Sequence, residues 1–196
     1  MDNLIYRLLS KYSVKMEDGI HPKHRLMKYH DFFTNNINFG DMILDIGCGN
    51  GYNTYKIAEK AGSVVGIDID EENIRLARKD FKKNNIKYIK GDATSYKFDK
   101  KFDAIVLSNV LEHLEDRIRF LKKVKDLGEK MLIRVPMFDR SWLVLYKKEF
   151  DVEYRLDNTH CIEYTIKSFL NELKKSGIEN VTYSVHFGEI WATVKC

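Results

Sequence analysis

The sequence predicts an α/β fold in which a doubly wound, seven-stranded and mostly parallel sheet ends in an antiparallel strand. Short apolar runs alternate with amphipathic helical segments over residues 41–135. This alternation is typical of a parallel sheet covered by helices on both faces. The tight turn at residues 187–189 joins the last two apolar runs into a hairpin, which makes the final strand antiparallel. We interpret residues 1–196 as a single domain.

Each element follows from hydrophobic periodicity and from the residues that begin and end helices. Apolar residues recur at helical spacing over 2–13, and Pro22 starts a second helix that runs to about Asn36. Residues 1–36 are therefore predicted to form a helical cover. The segments 53–61, 71–83, 115–126 (with Gly128 as its C-cap) and 165–176 are predicted as helices, and 41–46, 63–68, 87–91, 102–107, 130–135, 180–187 and 189–195 as strands.

The segment 137–163 is predicted to be a long connection after the fifth strand. It combines aromatic residues with positive charges, a mixture that suits an anionic or sugar-containing substrate, including a lipid-linked one. We therefore expect this segment to form an insertion on the substrate side of a binding site. The residues that suggest this role are Arg140, Trp142, Lys147, Lys148 and Arg155.

Composition excludes several classes of protein. Charged residues make up 32% of the chain and the net charge is +4, but acids lie between the basic residues, so no nucleic-acid partner is expected. No apolar stretch approaches the ~20 residues that span a bilayer, which leaves only peripheral membrane contact open. Three distant cysteines and the lack of a signal-peptide pattern predict a cytoplasmic protein without a disulfide framework.

The first two predicted strands each end in an acid. Asp45 precedes a loop with Gly47, Gly49 and Gly51, and Asp68 ends the second strand about 20 residues further on. Glycines let the loop backbone approach a ligand, and a carboxylate at the second strand end can accept hydrogen bonds from both hydroxyls of a ribose. An acid just before the loop suits a ligand with an ammonium group better than a dinucleotide.

These residues resemble the D-x-G-x-G-x-G loop and the second-strand acid of the class I S-adenosylmethionine-dependent methyltransferases. The resemblance covers about 40–195 and implies a Rossmann-like fold, S-adenosyl-L-methionine as the cofactor and a small-molecule substrate. It also implies that Asp45, Gly47 and Gly49 hold the methionine part of the cofactor, and that Asp68 and Ile69 hold the ribose.

Two further strand ends extend the resemblance. Asp92 and Ala93, after the third strand, resemble the turn that binds adenine in this family. The stretch 108–114 after the fourth strand resembles the type 11 and type 12 small-molecule methyltransferases, in which Asn109 would lie against the cofactor. Arg25, in the helical cover, either pairs with the methionine carboxylate or belongs to a basic solvent-facing surface.

Two histidines are candidates for catalysis. His113 either takes a proton from a hydroxyl nucleophile or only packs on the adenosine, and His160 either faces the active site or forms a structural corner. Glu112 and His113 resemble part of the ligand set of metal-dependent methyltransferases. Because position 109 is Asn, a metal would need another donor such as His160, and the sequence favours a site without a metal.

The function predicted from these motifs is methyl transfer to a small molecule, including a sugar- or lipid-linked metabolite. A non-catalytic subunit that binds a partner through the same fold is one alternative, but the complete set of strand-end acids argues against it. An NAD-linked oxidoreductase is the other. That class needs G-x-G-x-x-G, and Tyr52 and Asn53 stand where its third glycine should begin.

Overall fold

The computed structural model describes residues 8–9, 12–16 and 22–196. The helix predicted over 2–13 lies largely outside these residues. Within the described part, no helix has the length and apolar character needed to cross a membrane. Residues 8–9 and 12–16 are helical. From residue 22 onward the helices are α1 (Lys23–Met27), α2 (Tyr29–Asn35), α3 (Tyr52–Ile57), α4 (Glu71–Asp80), α5 (Arg117–Lys125), α6 (Trp142–Glu149) and α7 (Ile166–Lys175), with a 3-10 turn at Leu111–His113.

Seven strands form one sheet in the order β3-β2-β1-β4-β5-β7-β6. The pairs within β1–β5 are parallel, and β7 runs antiparallel to both β5 and β6. The predicted fold class is confirmed. The strands are β1 (Met42–Ile46), β2 (Ser63–Asp68), β3 (Ile86–Lys90), β4 (Phe102–Ser108), β5 (Gly128–Pro136), β6 (Val181–His186) and β7 (Glu189–Lys195).

Apolar side chains cover both faces of the central strands. Leu44 packs in the larger core cluster with residues of α5 and α7, whereas its neighbour Ile43 packs in a second cluster with residues of α2 and α3. Consecutive strand residues point to opposite faces, so a strand buried on both sides reads as an uninterrupted apolar run. Because β1 pairs with β2 on one side and with β4 on the other, the strand order reverses at β1. A crevice forms at that edge.

Three predicted elements need correction. The helix predicted from Pro22 to Asn36 is broken at Lys28, whose left-handed backbone (φ 48°) ends α1 and precedes α2. The long connection 137–163 contains a helix that the sequence did not predict, α6. Gly128 is the first residue of β5 rather than a helix cap, since α5 ends at Lys125 and Asp126 caps it.

Candidate functional site

The carboxyl ends of β1, β2 and β4 and the loop after β3 enclose a cavity of about 280 Å³. Its position is the one expected for a ligand in a doubly wound sheet, since the strand order reverses there. Acidic and apolar groups both reach it. Among the lining residues are Gly47, Asp68, Ile69, Asp92, Ala93, Asn109 and His113. We call this space the larger cavity.

The loop after β1 leaves its backbone open towards this cavity. Gly47 has φ +68°, and a Cβ atom added there would lie 2.7 Å from Val110 Cγ2, so a side chain cannot be accommodated. The Gly49 amide donates to Asp68 Oδ2 at 2.8 Å, and the Asp70 amide donates to Asp68 Oδ1 at the same distance. These bonds fix the Asp68 carboxylate. Each oxygen keeps a further lone pair for a ligand hydroxyl.

The turn after β3 is also held rigidly. Asp92 Oδ1 accepts hydrogen bonds from the Thr94 amide at 2.8 Å and from the Thr94 hydroxyl at 2.7 Å. On the outer side, Lys123 Nζ donates to the carbonyl oxygens of Ala93 and Thr94. The second oxygen of Asp92 is thus available to a donor in the cavity.

A second cavity of about 180 Å³ lies under α1 and α2, and we call it the smaller cavity. Asp45 reaches it from β1 while only 1% exposed, and Asp45 Oδ2 accepts a hydrogen bond from the Thr54 hydroxyl at 2.6 Å. Burial raises the pKa of Asp45 to about 7, against the opposing effect of the Thr54 hydrogen bond. A cationic ligand group would favour the charged carboxylate in this setting.

Two cationic side chains line the smaller cavity, Lys23 on α1 and Arg134 on β5. Arg134 is the more deeply buried of the two. It is only 4% exposed, and its guanidinium carbon lies 3.8 Å from the centre of the Tyr29 ring. Arg134 Nε donates to Asn109 Oδ1 at 2.9 Å and lies 3.0 Å from Glu189 Oε2. Arg134 Nη1 is buried and has no hydrogen-bond partner within the described part of the chain. A buried guanidinium N–H without a partner is expected to bind a hydrogen-bond acceptor.

The two cavities meet at Gly47 and Asn109, which line both. Asn109 adopts φ +56°, a conformation that asparagine tolerates better than most residues. Its side chain bridges Arg134 and Glu112, since Asn109 Nδ2 donates to Glu112 Oε1 at 2.8 Å. The side chain is therefore committed to the protein, which favours the backbone carbonyl as the group that Asn109 offers to a ligand.

Glu112, His113 and His160 meet at the mouth of the larger cavity. The ring centres of His113 and His160 lie 4.7 Å apart in an edge-to-face arrangement. The loop that carries His160 is held there because the Cys161 amide donates to the Glu112 carbonyl at 2.7 Å. Burial raises the pKa of Glu112 to about 7, while burial and the neighbouring His160 lower the pKa of His113.

Residues 43–129 match a family model described as a methyltransferase domain. The chain matches this model over less than half of its length. It is 38% identical over 90 residues to the ubiquinone biosynthesis O-methyltransferase of Pelagibacter ubique, covering 45% of this chain and 38% of that protein. It is 32% identical over 112 residues to the chloroplastic 2-phytyl-1,4-beta-naphthoquinone methyltransferase of Arabidopsis thaliana, covering 52% and 43%. The aligned region thus spans less than half the length of either relative.

A solved methyltransferase structure shares the fold. The magnesium protoporphyrin IX methyltransferase of Synechocystis, with bound SAH, superposes with a TM-score of 0.62. The superposition covers 81% of this chain and 75% of that one, at 17% sequence identity. At this level of identity the likeness concerns the fold alone.

The structure brings most of the predicted site residues together. Asp68, Ile69, Asp92, Ala93 and His113 line the larger cavity, Asp45 lines the smaller one, and Gly47 and Asn109 line both. Gly49 contributes through its hydrogen bond to Asp68, and His160 packs against His113. Arg25 is exposed and lines neither cavity.

Sequence reasoning missed Arg134. Its signal is an arginine inside the apolar run Met131–Pro136, where a strand buried on both faces should carry no unpaired charge. Two of the charged residues predicted to face a substrate from the 137–163 segment instead bind within that segment. Arg140 binds Glu163 and the Tyr154 carbonyl, and Arg155 binds Glu153 and the His160 carbonyl, so both stabilise the segment itself.

Proposed function

We propose that this chain is an S-adenosyl-L-methionine-dependent methyltransferase that acts on a hydroxyl group of a small molecule. The observation that carries the proposal is the pair of cavities joined at Gly47 and Asn109. One cavity is lined by apolar groups and by two carboxylates, which suits an adenosyl group. The other presents a buried carboxylate and a buried guanidinium, which suits the ammonium and carboxylate of an amino acid.

The residues of the chain fit the cofactor on two independent features. Arg134 Nη1 has no hydrogen-bond partner among the described residues, and a ligand carboxylate would supply one. The glycine at position 47 keeps the junction of the cavities free of a side chain. We assign Asp45 to the ammonium group, Arg134 to the carboxylate, Asp68 to the ribose hydroxyls, Asp92 with the Ala93 amide to the adenine, and Ile69 to packing against the nucleoside.

When bound, the cofactor supplies an activated methyl group on a sulfonium. The chain itself binds, orients and excludes water. The carboxylates and Arg134 fix both ends of the cofactor, so that the junction at Asn109 determines where the reactive centre can lie. His113 and His160 place imidazole nitrogens beside the position of a hydroxyl acceptor, which must lose its proton.

The acceptor class is supported by the relatives and by the surroundings of the mouth. One relative is named as an O-methyltransferase of ubiquinone biosynthesis, and another as a methyltransferase acting on a phytyl naphthoquinone. The segment 137–163 ends beside His160 and carries α6, whose Trp142 and Tyr146 are exposed. We place an apolar, hydroxyl-bearing acceptor against this side of the cavity.

Calorimetric titration with S-adenosylhomocysteine and with NADH tests the cofactor assignment. We expect saturable binding of the former and none of the latter. Transfer of a labelled methyl group from S-adenosyl-L-methionine to hydroxylated quinol acceptors then tests the activity. Binding of S-adenosylhomocysteine without transfer to any such acceptor would favour the non-catalytic alternative, and binding of NADH alone would favour the oxidoreductase.

A further inference from the structure

One carboxylate oxygen of Glu112 lies in an unusual environment. The side chain is fully buried, and although Glu112 Oε1 accepts from Asn109 Nδ2, Glu112 Oε2 has no hydrogen-bond partner within the described residues. A buried carboxylate oxygen without a donor is costly, and such atoms in native proteins usually face an ion or an ordered water. Glu112 Oε2 is therefore positioned to bind a cation or a hydrogen-bond donor.

The hydrogen bonds around His113 fix which ring nitrogen carries the proton. His113 Nδ1 lies 2.9 Å from the Thr159 hydroxyl, and that hydroxyl lies 2.8 Å from Asp157 Oδ1. The Asp157 carboxylate can only accept, so it takes the Thr159 proton. The Thr159 oxygen must then accept from His113 Nδ1. The lone pair of His113 is left on Nε2.

The tautomer of His160 is the same as that of His113, but a different partner determines it. His160 Nδ1 lies 3.1 Å from Glu163 Oε1, which also accepts from the Leu156 amide at 2.6 Å. Glu163 is held in turn by Arg140. His160 therefore donates from Nδ1 and keeps its lone pair on Nε2. A histidine oriented by a carboxylate through its other nitrogen is the usual arrangement around metal-ligating histidines.

We propose that Glu112, His113 and His160 bind a divalent transition-metal ion, of the class of zinc, at the mouth of the larger cavity. One ligand atom from each residue lies within 4.8 Å of the other two. Atoms bonded to one zinc ion at about 2.1 Å lie at most about 4.2 Å apart, so small side-chain rotations bring the three donors onto a common ion. Two imidazoles and one carboxylate are a donor set that such metals accept.

Three protein ligands leave coordination positions free for a ligand oxygen. His113 lines the larger cavity, so an ion on this triad would lie beside the bound nucleoside. In a role that rests on the proposed function, the open position takes the acceptor hydroxyl. Coordination lowers the pKa of that hydroxyl, its O–H bond breaks with the electron pair kept by oxygen, and the proton passes to water.

Titration of chelator-treated protein with Co²⁺ and Zn²⁺, with no cofactor present, tests the site. We expect Co²⁺ to give visible d–d absorption that Zn²⁺ abolishes by competition. Glu112→Gln, His113→Gln and His160→Gln should each lower the affinity at least tenfold. Thr159→Val, which removes only the partner of His113 Nδ1, should lower it about 10–100-fold. The matched control is His186→Gln, an exposed histidine on β6, which should bind as the wild type does.

Equal Co²⁺ affinity in the wild type, Glu112→Gln and His160→Gln would overturn the proposal. So would cobalt–thiolate charge-transfer absorption, which would place the ion on a cysteine such as Cys161, whose Sγ lies 3.6 Å from the His113 carbonyl oxygen. Titration of every variant with S-adenosylhomocysteine reports whether its fold is intact. Absence of Co²⁺ binding in a wild-type protein that still binds S-adenosylhomocysteine would contradict only the metal site, whereas wild-type binding of Co²⁺ without binding of S-adenosylhomocysteine would contradict the proposed function.

Discussion

Arg134 lies in β5 between Ile133 and Val135, both of which are fully buried. Glu189 balances its charge and Asn109 accepts a hydrogen bond from it, while Nη1 has no acceptor in the part of the chain that the structure describes. A buried donor without a partner costs about 1–3 kcal/mol, and a ligand that supplies the acceptor recovers this free energy on binding. Arg134 is therefore expected to contribute to affinity for one end of the ligand only.

Replacement of Arg134 by Met tests this selectivity. We expect Arg134→Met to weaken S-adenosylhomocysteine binding about 10–100-fold, the value of a charge-assisted hydrogen bond. Binding of 5′-methylthioadenosine, which lacks the amino-acid part, should stay unchanged in the same calorimetric titration. Arg25→Met, at an exposed arginine outside both cavities, is the control and should affect neither ligand. An equal loss for both ligands would refute the carboxylate assignment.

Replacement of Asp68, unlike that of Arg134, should weaken the binding of both ligands. Both ligands carry ribose hydroxyls, so Asp68→Ala should weaken both by about 1–3 kcal/mol, the cost of leaving a buried polar group without its charged partner. Calorimetry on the two ligands measures this, with the exposed Asp139→Ala as the control. Wild-type affinity in Asp68→Ala would remove the ribose assignment.

Among the elements, α7 illustrates how local sequence and packing agree. Thr165 accepts a hydrogen bond from the Ser168 amide, and Ser168 Oγ accepts from the Thr165 amide, which forms a reciprocal cap. Phe169 and Leu173 then pack in the larger core cluster. On the same helix, Glu172 accepts from Tyr164 and from Arg117 and so ties α7 to the start of α5.

Loss of the cap should destabilise the protein measurably. Thr165→Ala is expected to lower the free energy of unfolding by about 0.5–2 kcal/mol, because a helix N-cap hydrogen bond is removed. Urea denaturation followed by circular dichroism measures the change. Lys167→Ala, at an exposed position two residues after the cap, is the control and should change stability by less than Thr165→Ala does. A midpoint for Thr165→Ala equal to that of the wild type would mean that α7 does not depend on its cap.

The elements differ in how well sequence predicts them. The strands β1, β2 and β4 follow from apolar runs, because burial on both faces leaves a local pattern. The break at Lys28 leaves no such signal, since lysine does not mark a left-handed residue. The helix α6 was missed because only Val144 within it is buried, so its apolar residues are spread around the helix and show no periodicity.

The buried carboxylate of the smaller cavity lowers the stability of the folded protein as a whole. Asp45 is buried beside a single hydroxyl donor, and burial raises its pKa to about 7. The ordinary pKa of an aspartate is near 4. Between these values the folded protein holds a proton that the unfolded chain has released, so this residue lowers stability progressively as pH rises across that window.

Asp45→Asn should therefore stabilise the ligand-free protein in a pH-dependent way. We expect the difference in Tm between Asp45→Asn and the wild type to be larger near pH 8 than near pH 5. Scanning calorimetry at the two pH values measures this, and Asp139→Asn provides the control for an exposed carboxylate. The same variant should bind S-adenosylhomocysteine more weakly than the wild type. A difference in Tm that shrinks as pH rises would show that the pKa of Asp45 is not raised in the folded protein.

Some contacts of the site can be predicted from the sequence and others cannot. Asp45, Gly47 and Asp68 lie close together in the sequence around one βαβ unit, so their convergence follows from local structure alone. Arg134 meets Asn109 only because β5 pairs with β4, and His160 meets Glu112 only because the loop after α6 folds back onto the 3-10 turn. Such pairs depend on tertiary structure and leave no local pattern.

The exposure of α6 has a practical consequence for spectroscopy. The chain has two tryptophans: Trp142 at the start of α6 is 75% exposed, while Trp191 on β7 is buried against Phe32 and His186. A Trp191→Phe variant would carry a single indole fluorophore, in water, on the side where we place the acceptor. A shift of its emission to shorter wavelength on adding a quinol or a lipid vesicle would report directly that this helix becomes covered.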